Sequence, residues 1–177
     1  MASPTLFPSI LELPNLPAAD QTAVLDLLFE PSPALHALSD PLLQSSHATY
    51  TALVNQIRSS LHSLLSSSSP SSLSTLDAVL QSHPRLGASK VDSAQSRAEQ
   101  ASLGTVGEGE KLKQLNEEYE ATFPGLRYVV FVNGRSREVV MHDMRRRIAR
   151  GDLSEERREG IEVSCCVSSC RPTVGVA

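Results

Sequence analysis

The sequence predicts an all-α fold, a single-domain bundle of about eight helices. Apolar residues recur at spacings of three and four along most of the chain, and only one short segment, near residues 128–132, is rich in β-forming residues. The length of 177 residues suits one domain with a core of its own. Aromatic residues make up only 4% of the chain, so we expect a core of Leu, Val, Ile and Ala.

The first part of the chain predicts an irregular lead-in and four helices. Four prolines interrupt residues 1–19, and Asp20 is suitable as the N-cap of a first helix that ends before Pro31. A Ser-rich segment of low complexity, residues 66–72, predicts a surface linker between two helices. The second and third helices are expected at residues 33–45 and 47–65, before this segment, and the fourth at 73–82, after it.

The fourth helix is expected to end at Pro84, which leaves His83 at a helix–loop junction. A further helix is predicted over about 93–103, and the clearest one covers 108–123, with Leu112, Leu115, Tyr119 and Phe123 on one stripe. The segment 128–132 has no evident partner strand, and Asn133-Gly134 predicts a turn. The last helices are expected at 135–150 and from 153 to about 170, although the Ser- and Cys-rich end disfavours helix.

Charge and composition exclude several classes of protein. The net charge of −4 argues against a general nucleic-acid binder, and no apolar run is long enough to predict a membrane span. Met1-Ala2-Ser3-Pro4 lacks the features of a secretory signal, and the C-terminus is not of the peroxisomal Ser-Lys-Leu type. We therefore expect a cytoplasmic protein, with the peroxisome as the alternative.

Three cysteines lie close together near the C-terminus: Cys165, Cys166 and Cys170. Two of them are adjacent and their number is odd, which favours free thiols in a reducing compartment over a disulfide framework. No His or acidic residue joins them at a familiar ligand spacing, so no metal site is predicted.

Two polar clusters carry the candidate chemistry. In residues 82–87, Pro84 and Gly87 fix the backbone beside His83, whose side chain has an ordinary pKa near neutrality. Ser96, Glu99 and Gln100 share one helix face, because they stand at i, i+3 and i+4. Such an inventory can move a proton and hold a small polar ligand without a metal. The alternatives are that His83 is a surface or capping residue and that Ser96-x-x-Glu99 is only a capping box.

An arginine run at residues 145–147, with Arg135, Arg137 and Arg150 nearby, is interpreted as a solvated helix face. Glu155, Glu156 and Glu159 can screen this charge. Binding of nucleic acid or an anionic surface is the weaker alternative, because no aromatic residues interleave with the arginines.

Three motifs in order resemble the family of 2-oxo-4-hydroxy-4-carboxy-5-ureidoimidazoline (OHCU) decarboxylases of urate degradation. They are His83-Pro84-Arg85-Leu86-Gly87, then Ser96-x-x-Glu99-Gln100, then Leu115-Asn116-x-x-Tyr119-x-x-x-Phe123 leading into Tyr128-Val129-Val130. The resemblance covers about residues 20–171, between an irregular lead-in at 1–19 and a tail at 172–177, and the Ser-rich segment 66–72 resembles an insertion beside the family's pattern. It implies an all-α enzyme that uses no cofactor and decarboxylates OHCU to (S)-allantoin.

The resemblance also implies roles for particular residues. His83 and Glu99 fall on catalytic positions. Substrate-binding positions fall on Pro84, Ser96, Gln100, Tyr128, Val129, Val130 and Arg171. The implied partner is the small-molecule substrate, with no nucleic acid or membrane, and the chain is expected to form a homodimer. The alternative hypothesis from the residues alone is a non-enzymatic helical protein-interaction module.

Overall fold

The computed structural model describes residues 7–67, 69–87, 109–132 and 134–170. Within these ranges the chain forms seven α-helices and no strand, so the predicted all-α fold is confirmed. The count is seven in the described residues rather than about eight, and the helix predicted at 93–103 lies outside them. The helices are α1 (Ala18–Leu28), α2 (Pro33–Leu43), α3 (Tyr50–Ser67), α4 (Pro70–Gln81), α5 (Gly109–Thr122), α6 (Arg137–Arg150) and α7 (Leu153–Cys170). None of the helices in these ranges is both long and apolar enough to cross a membrane.

Helix α1 begins three residues earlier than predicted. Its N-cap is Pro17, and Asp20 lies in the first turn instead of capping the helix. A carboxylate in the first turn still faces the positive end of the helix dipole, so Asp20 favours this helix from a different position.

The Ser-rich segment is largely helical, so the predicted linker over 66–72 is wrong. Helix α3 runs on to Ser67, and α4 begins at Pro70. Ser69 caps α4 by accepting a hydrogen bond of 3.1 Å from the backbone N–H of Ser72. A serine at the N-cap followed by proline at the first helical position is a helix-start signal, which the low complexity of the segment concealed.

Helix α7 packs most extensively against α3, in the largest helix–helix contact among the described residues. Leu53, Ile57 and Leu61 of α3 are fully buried, as are Ile161 and Cys165 of α7. The predicted apolar stripe of α5 is also confirmed, since its four residues are all buried: Leu112, Leu115, Tyr119 and Phe123. Helix α7 persists to Cys170 despite its poor helix formers, because its inward face supplies tertiary packing.

Helix α4 runs locally parallel to α7, in close contact. Asp77 accepts two hydrogen bonds of 2.7 Å from Arg157, and Leu80 packs on Gly160 one turn further along both helices. A Cβ on Gly160 would lie 3.2 Å from Leu80 Cδ2, so the glycine permits the close approach. Because of this contact, the C-terminal end of α4 lies beside the middle of α7.

Candidate active site

His83 lies where the sequence predicts, between the end of α4 and Pro84, and it is half-buried. Its Nε2 is 2.8 Å from Oγ of Ser164, a buried residue of α7. The Ser164 hydroxyl donates its own proton to the carbonyl of Gly160 at 2.8 Å. Oγ therefore accepts the bond from His83 Nε2–H, which leaves the lone pair of the neutral imidazole on Nδ1.

The loop that follows His83 is fixed against α5. Buried Asn116 donates from Nδ2 to the carbonyl of Leu86 at 3.0 Å and to that of Leu112 at 2.9 Å. Gly87 has a φ of 82°, and a Cβ there would lie 2.7 Å from Leu112 Cδ2. Only glycine suits both this backbone conformation and this approach, so the position of the loop is strongly constrained.

Glu120 of α5 joins this loop to the segment that follows the helix. Arg85 donates to its carboxylate through Nε, at 2.6 Å, and through Nη2. Arg127 donates to the same carboxylate from the other side. Burial opposes the charge of Glu120, but the hydrogen bonds from Arg85 and Arg127 outweigh it and lower the pKa of this carboxyl. Helix α5 thus connects the loop after His83 to the segment 126–132.

The segment 126–132 is neither helix nor strand, in agreement with the sequence prediction. Two alternate carbonyls accept from arginine side chains: Val129 from Arg147 Nη1 at 3.0 Å, and Phe131 from Arg135 Nη2. The last carbonyl of the segment, that of Val132, accepts from the backbone N–H of Arg135 at 2.8 Å. No described residue donates to the carbonyls of residues 128 and 130, on either side of Val129. The alternation indicates extended backbone, in which neighbouring residues turn their N–H and C=O groups to opposite sides.

Arg147 is buried, so the predicted solvated arginine face is wrong at this position. Only 1% of the Arg147 side chain and none of the Glu156 side chain is exposed. Arg147 Nε lies 2.8 Å and 3.1 Å from the two carboxylate oxygens of Glu156, and Nη2 makes a further bond. Val140, Met144 and Arg147 stand at spacings of four and three on the buried face of α6, a signal that the sequence contains.

Two buried tyrosines complete this cluster. Tyr119 donates its hydroxyl proton to Glu156, and the Arg147 guanidinium lies 4.7 Å from the ring centre of Tyr128. Tyr128 donates to Asp143 at 2.7 Å. Burial, with the adjacent carboxylates, raises the pKa of Tyr119 and of Tyr128, so both phenols remain donors. Burial works against the charge of Arg147, but Glu156 outweighs it and raises the pKa of the guanidinium.

A comparison with protein families shows which family the chain belongs to. The family model of OHCU decarboxylase matches residues 14–172 of the 177-residue chain. The chain belongs to the OHCU decarboxylase family. It is therefore a carboxy-lyase that decarboxylates a small molecule in urate degradation, and the hypothesis of a non-enzymatic interaction module is not supported. A comparison with curated protein sequences found no match.

The structure describes five of the nine residues to which the resemblance assigns a role in OHCU decarboxylases. His83 and Pro84 stand in the loop after α4, and Tyr128, Val129 and Val130 stand in the segment that α5 connects to it. The remaining residues, Ser96, Glu99, Gln100 and Arg171, lie outside the described residues, so their roles stay predictions, as does the capping-box alternative for Ser96 and Glu99.

Three other histidines of this decarboxylase make structural contacts. His36 Nε2 is 2.6 Å from Asp26, His47 Nε2 is 2.7 Å from the carbonyl of Leu42, and His62 Nε2 is 2.6 Å from Glu162. These contacts join helices or close a turn, so they give each ring a structural role.

The remaining candidate ligands form no metal site in the part of the chain that the structure describes. No three His, Cys, Asp or Glu side chains there are grouped to hold a metal ion. Neither Cys165, which is buried, nor exposed Cys166 is in a disulfide. Burial raises the pKa of the Cys165 thiol to about 11, so this side chain behaves as a small apolar core residue.

Proposed function

We propose that this carboxy-lyase converts OHCU to (S)-allantoin, with His83 as the principal acid/base. The observation that carries the proposal is the bond from His83 Nε2–H to Ser164, which orients the imidazole against helix α7. Side chains of α5 join the loop after this imidazole to a backbone segment in which the carbonyls of residues 128 and 130 accept no hydrogen bond from the residues that the structure describes. A planar, polar ring suits such a segment.

The proposed reaction needs little from the protein beyond orientation and one proton. The bond between the ring carbon and the carboxylate breaks, CO₂ leaves, and the electron pair stays on the ring carbon, where the conjugated ring delocalises it. A proton then forms the new C–H bond. A site that holds the carboxylate out of the ring plane and stabilises the developing anion lowers this barrier. Delivery of the proton to one face gives one enantiomer.

The residues outside the described ranges complete this proposal through the family resemblance. Glu99 would act across the ligand from His83 on a ring or hydroxyl proton. Ser96 and Gln100 would bind the ureido and ring amide groups, and Arg171 would pair with an anionic or carbonyl oxygen.

Among the described residues, Pro84 would contact the ligand from the loop. The backbone groups of 128–130 would bind the planar edge of the ring, and no cofactor takes part.

The direct test is an optical assay of the whole chain. OHCU is generated in situ from urate, and the circular dichroism of allantoin is followed with and without the protein. We expect the protein to accelerate the appearance of the optically active product. An unchanged rate and a racemic product would refute the proposed substrate.

Oligomeric state and compartment are proposals of a coarser kind. We propose a homodimer on the family resemblance alone, and a cytoplasmic enzyme without nucleic-acid or membrane partners on the composition of the chain. Sedimentation velocity at micromolar concentration tests the first of these, and a monomer at all concentrations would contradict it.

A further inference from the structure

We propose that Arg147 and Glu156 act as positioning residues that hold the carbonyl of Val129 and thereby set which edge of the segment 126–132 faces the substrate. Neither side chain touches the ligand in this account. Both act through the backbone that binds it, so the inference rests on the proposed function and extends it to a pair of residues on α6 and α7.

The first argument is that burial of this ion pair is not needed for stability. Removing two charges from water is costly, and well-packed apolar side chains of similar volume often serve a core as well or better. Arg147 and Glu156 are nevertheless almost wholly buried. Stability alone therefore does not account for the burial of this pair.

The second argument is that different nitrogens of the Arg147 guanidinium contact Glu156 and the Val129 carbonyl. Arg147 uses Nε and Nη2 for Glu156, and directs Nη1 to the carbonyl of Val129 at 3.0 Å. The planar fork of arginine allows both contacts at once in a fixed relative direction. The ammonium of lysine is a single point charge, which could pair with Glu156 but could not reproduce this geometry.

The third argument is that the carbonyl held by Arg147 is one of two alternate carbonyls that arginine side chains hold along the segment. Glu156 accepts from Tyr119 and from Arg147, which holds the Val129 carbonyl, and Arg135 donates to the Phe131 carbonyl two residues further on. These carbonyls belong to alternate residues, so their neighbours at 128 and 130 turn their groups to the opposite side. A slip of one residue would exchange the two edges, as it does in a strand. The pair therefore fixes the register in which the substrate meets the backbone.

The test replaces the pair by apolar residues and compares it with the same change at two surface residues, Arg146 and Glu155. Each of these stands one position earlier than a member of the pair, and each pairs with other residues. The variant R147M/E156M removes both charges together, so it leaves no unpaired charge in the core, and R146M/E155M is the matched control. We expect the buried double variant to keep the helical circular dichroism of wild type and to raise KM for OHCU at least tenfold. Its pH–rate profile should be unchanged, because the His83 environment is intact. An unchanged KM in the folded variant would overturn the proposal.

A conservative variant keeps the test decisive if the double variant does not fold. R147K preserves the charge opposite Glu156, so it should fold, yet it should not restore the contact to Val129. We expect an increase in KM of at least tenfold in this variant as well. A wild-type KM would show that charge alone suffices and would contradict the positioning role.

A second readout separates this inference from the proposed substrate. Amide hydrogen exchange across residues 127–132 reports the order of the segment without any ligand. Faster exchange in R147K than in wild type supports the positioning role even if wild type proves inactive on OHCU. Unchanged exchange together with unchanged KM refutes it, while activity of the wild type alone decides the proposed function.

Discussion

Glu156→Gln is the substitution that should cost this protein the most stability for the smallest change of shape. Glutamine has the same number of heavy atoms as glutamate, so packing is preserved. The neutral amide, however, removes the charge that compensates fully buried Arg147 and that also pairs with Arg150 at 2.7 Å. It places an N–H₂ group where Tyr119 and Arg147 require an acceptor.

The expected magnitude follows from the burial of this pair. Loss of one partner from a buried ion pair costs about 3–5 kcal/mol, since the other charge remains in the core. Gln retains one acceptor oxygen, so we take the lower end, about 3 kcal/mol. For a chain of 150–250 residues, about 1 kcal/mol corresponds to about 2–4 °C in Tm. The predicted decrease is therefore about 6–12 °C.

Thermal unfolding at pH 7, followed by circular dichroism at a helix band, measures this effect. Glu155→Gln is the matched control, because Glu155 is one residue earlier on α7 and pairs with Arg158 at 3.7 Å on the surface. Such a pair contributes up to about 1 kcal/mol, so Tm should change by no more than about 4 °C. If the two variants melted at the same temperature, the assignment of Arg147 and Glu156 as a buried, mutually dependent pair would be incorrect.

Three further substitutions or treatments probe other parts of the structure. Ser164→Ala removes the acceptor of His83 Nε2–H. Because such a bond contributes about 1 kcal/mol, turnover should fall about fivefold and the pH–rate profile should shift. Steady-state assays between pH 5 and 9 measure both effects. Because the pKa of Glu120 is lowered in the folded state, this carboxylate stabilises the fold above its unfolded pKa, and the stabilisation is lost as pH falls through the folded pKa. In Glu120→Gln, the free energy of unfolding from denaturant titrations should therefore fall less steeply at acid pH than in wild type. Thiol labelling of the native protein at pH 8, read by peptide mass spectrometry, should modify Cys166 before Cys165, whose pKa burial raises to about 11; equal labelling would contradict the burial.

The helices were predictable from the sequence wherever the apolar repeat is regular. The stripe of α5 from Leu112 to Phe123 is buried as its spacing indicates. The linker predicted for the Ser-rich segment is wrong because its composition is typical of linkers, whereas Ser69 and Pro70 are the start signals of a helix. The last helix shows the reverse case, in which buried Ser164, Cys165 and Ser168 pack well enough to sustain a helix that their propensities disfavour.

The site was predictable only in its local parts. The position of His83 at a helix end beside Pro84 follows from neighbouring residues. The segment after α5, which belongs to no helix or sheet, is likewise predictable from its own residues. The bond from His83 to Ser164 crosses 81 residues, and Arg147 meets Glu156 on a different helix. No local pattern specifies such pairs, because burial of a charge or a hydroxyl is decided by the tertiary packing around it. The inward spacing of Val140, Met144 and Arg147 was the one available indication.

The central claim is that His83 moves the proton in this decarboxylation. The measurement that tests it most directly is turnover of OHCU by His83→Ala, with allantoin circular dichroism as the signal and His142→Ala, a variant of an exposed histidine on α6, as the control. We predict that His83→Ala lowers kcat at least about 100-fold, the usual scale for a general acid/base, with helical content intact. The control should retain wild-type turnover. A folded His83→Ala variant with wild-type turnover and the same enantiomeric product would contradict the account.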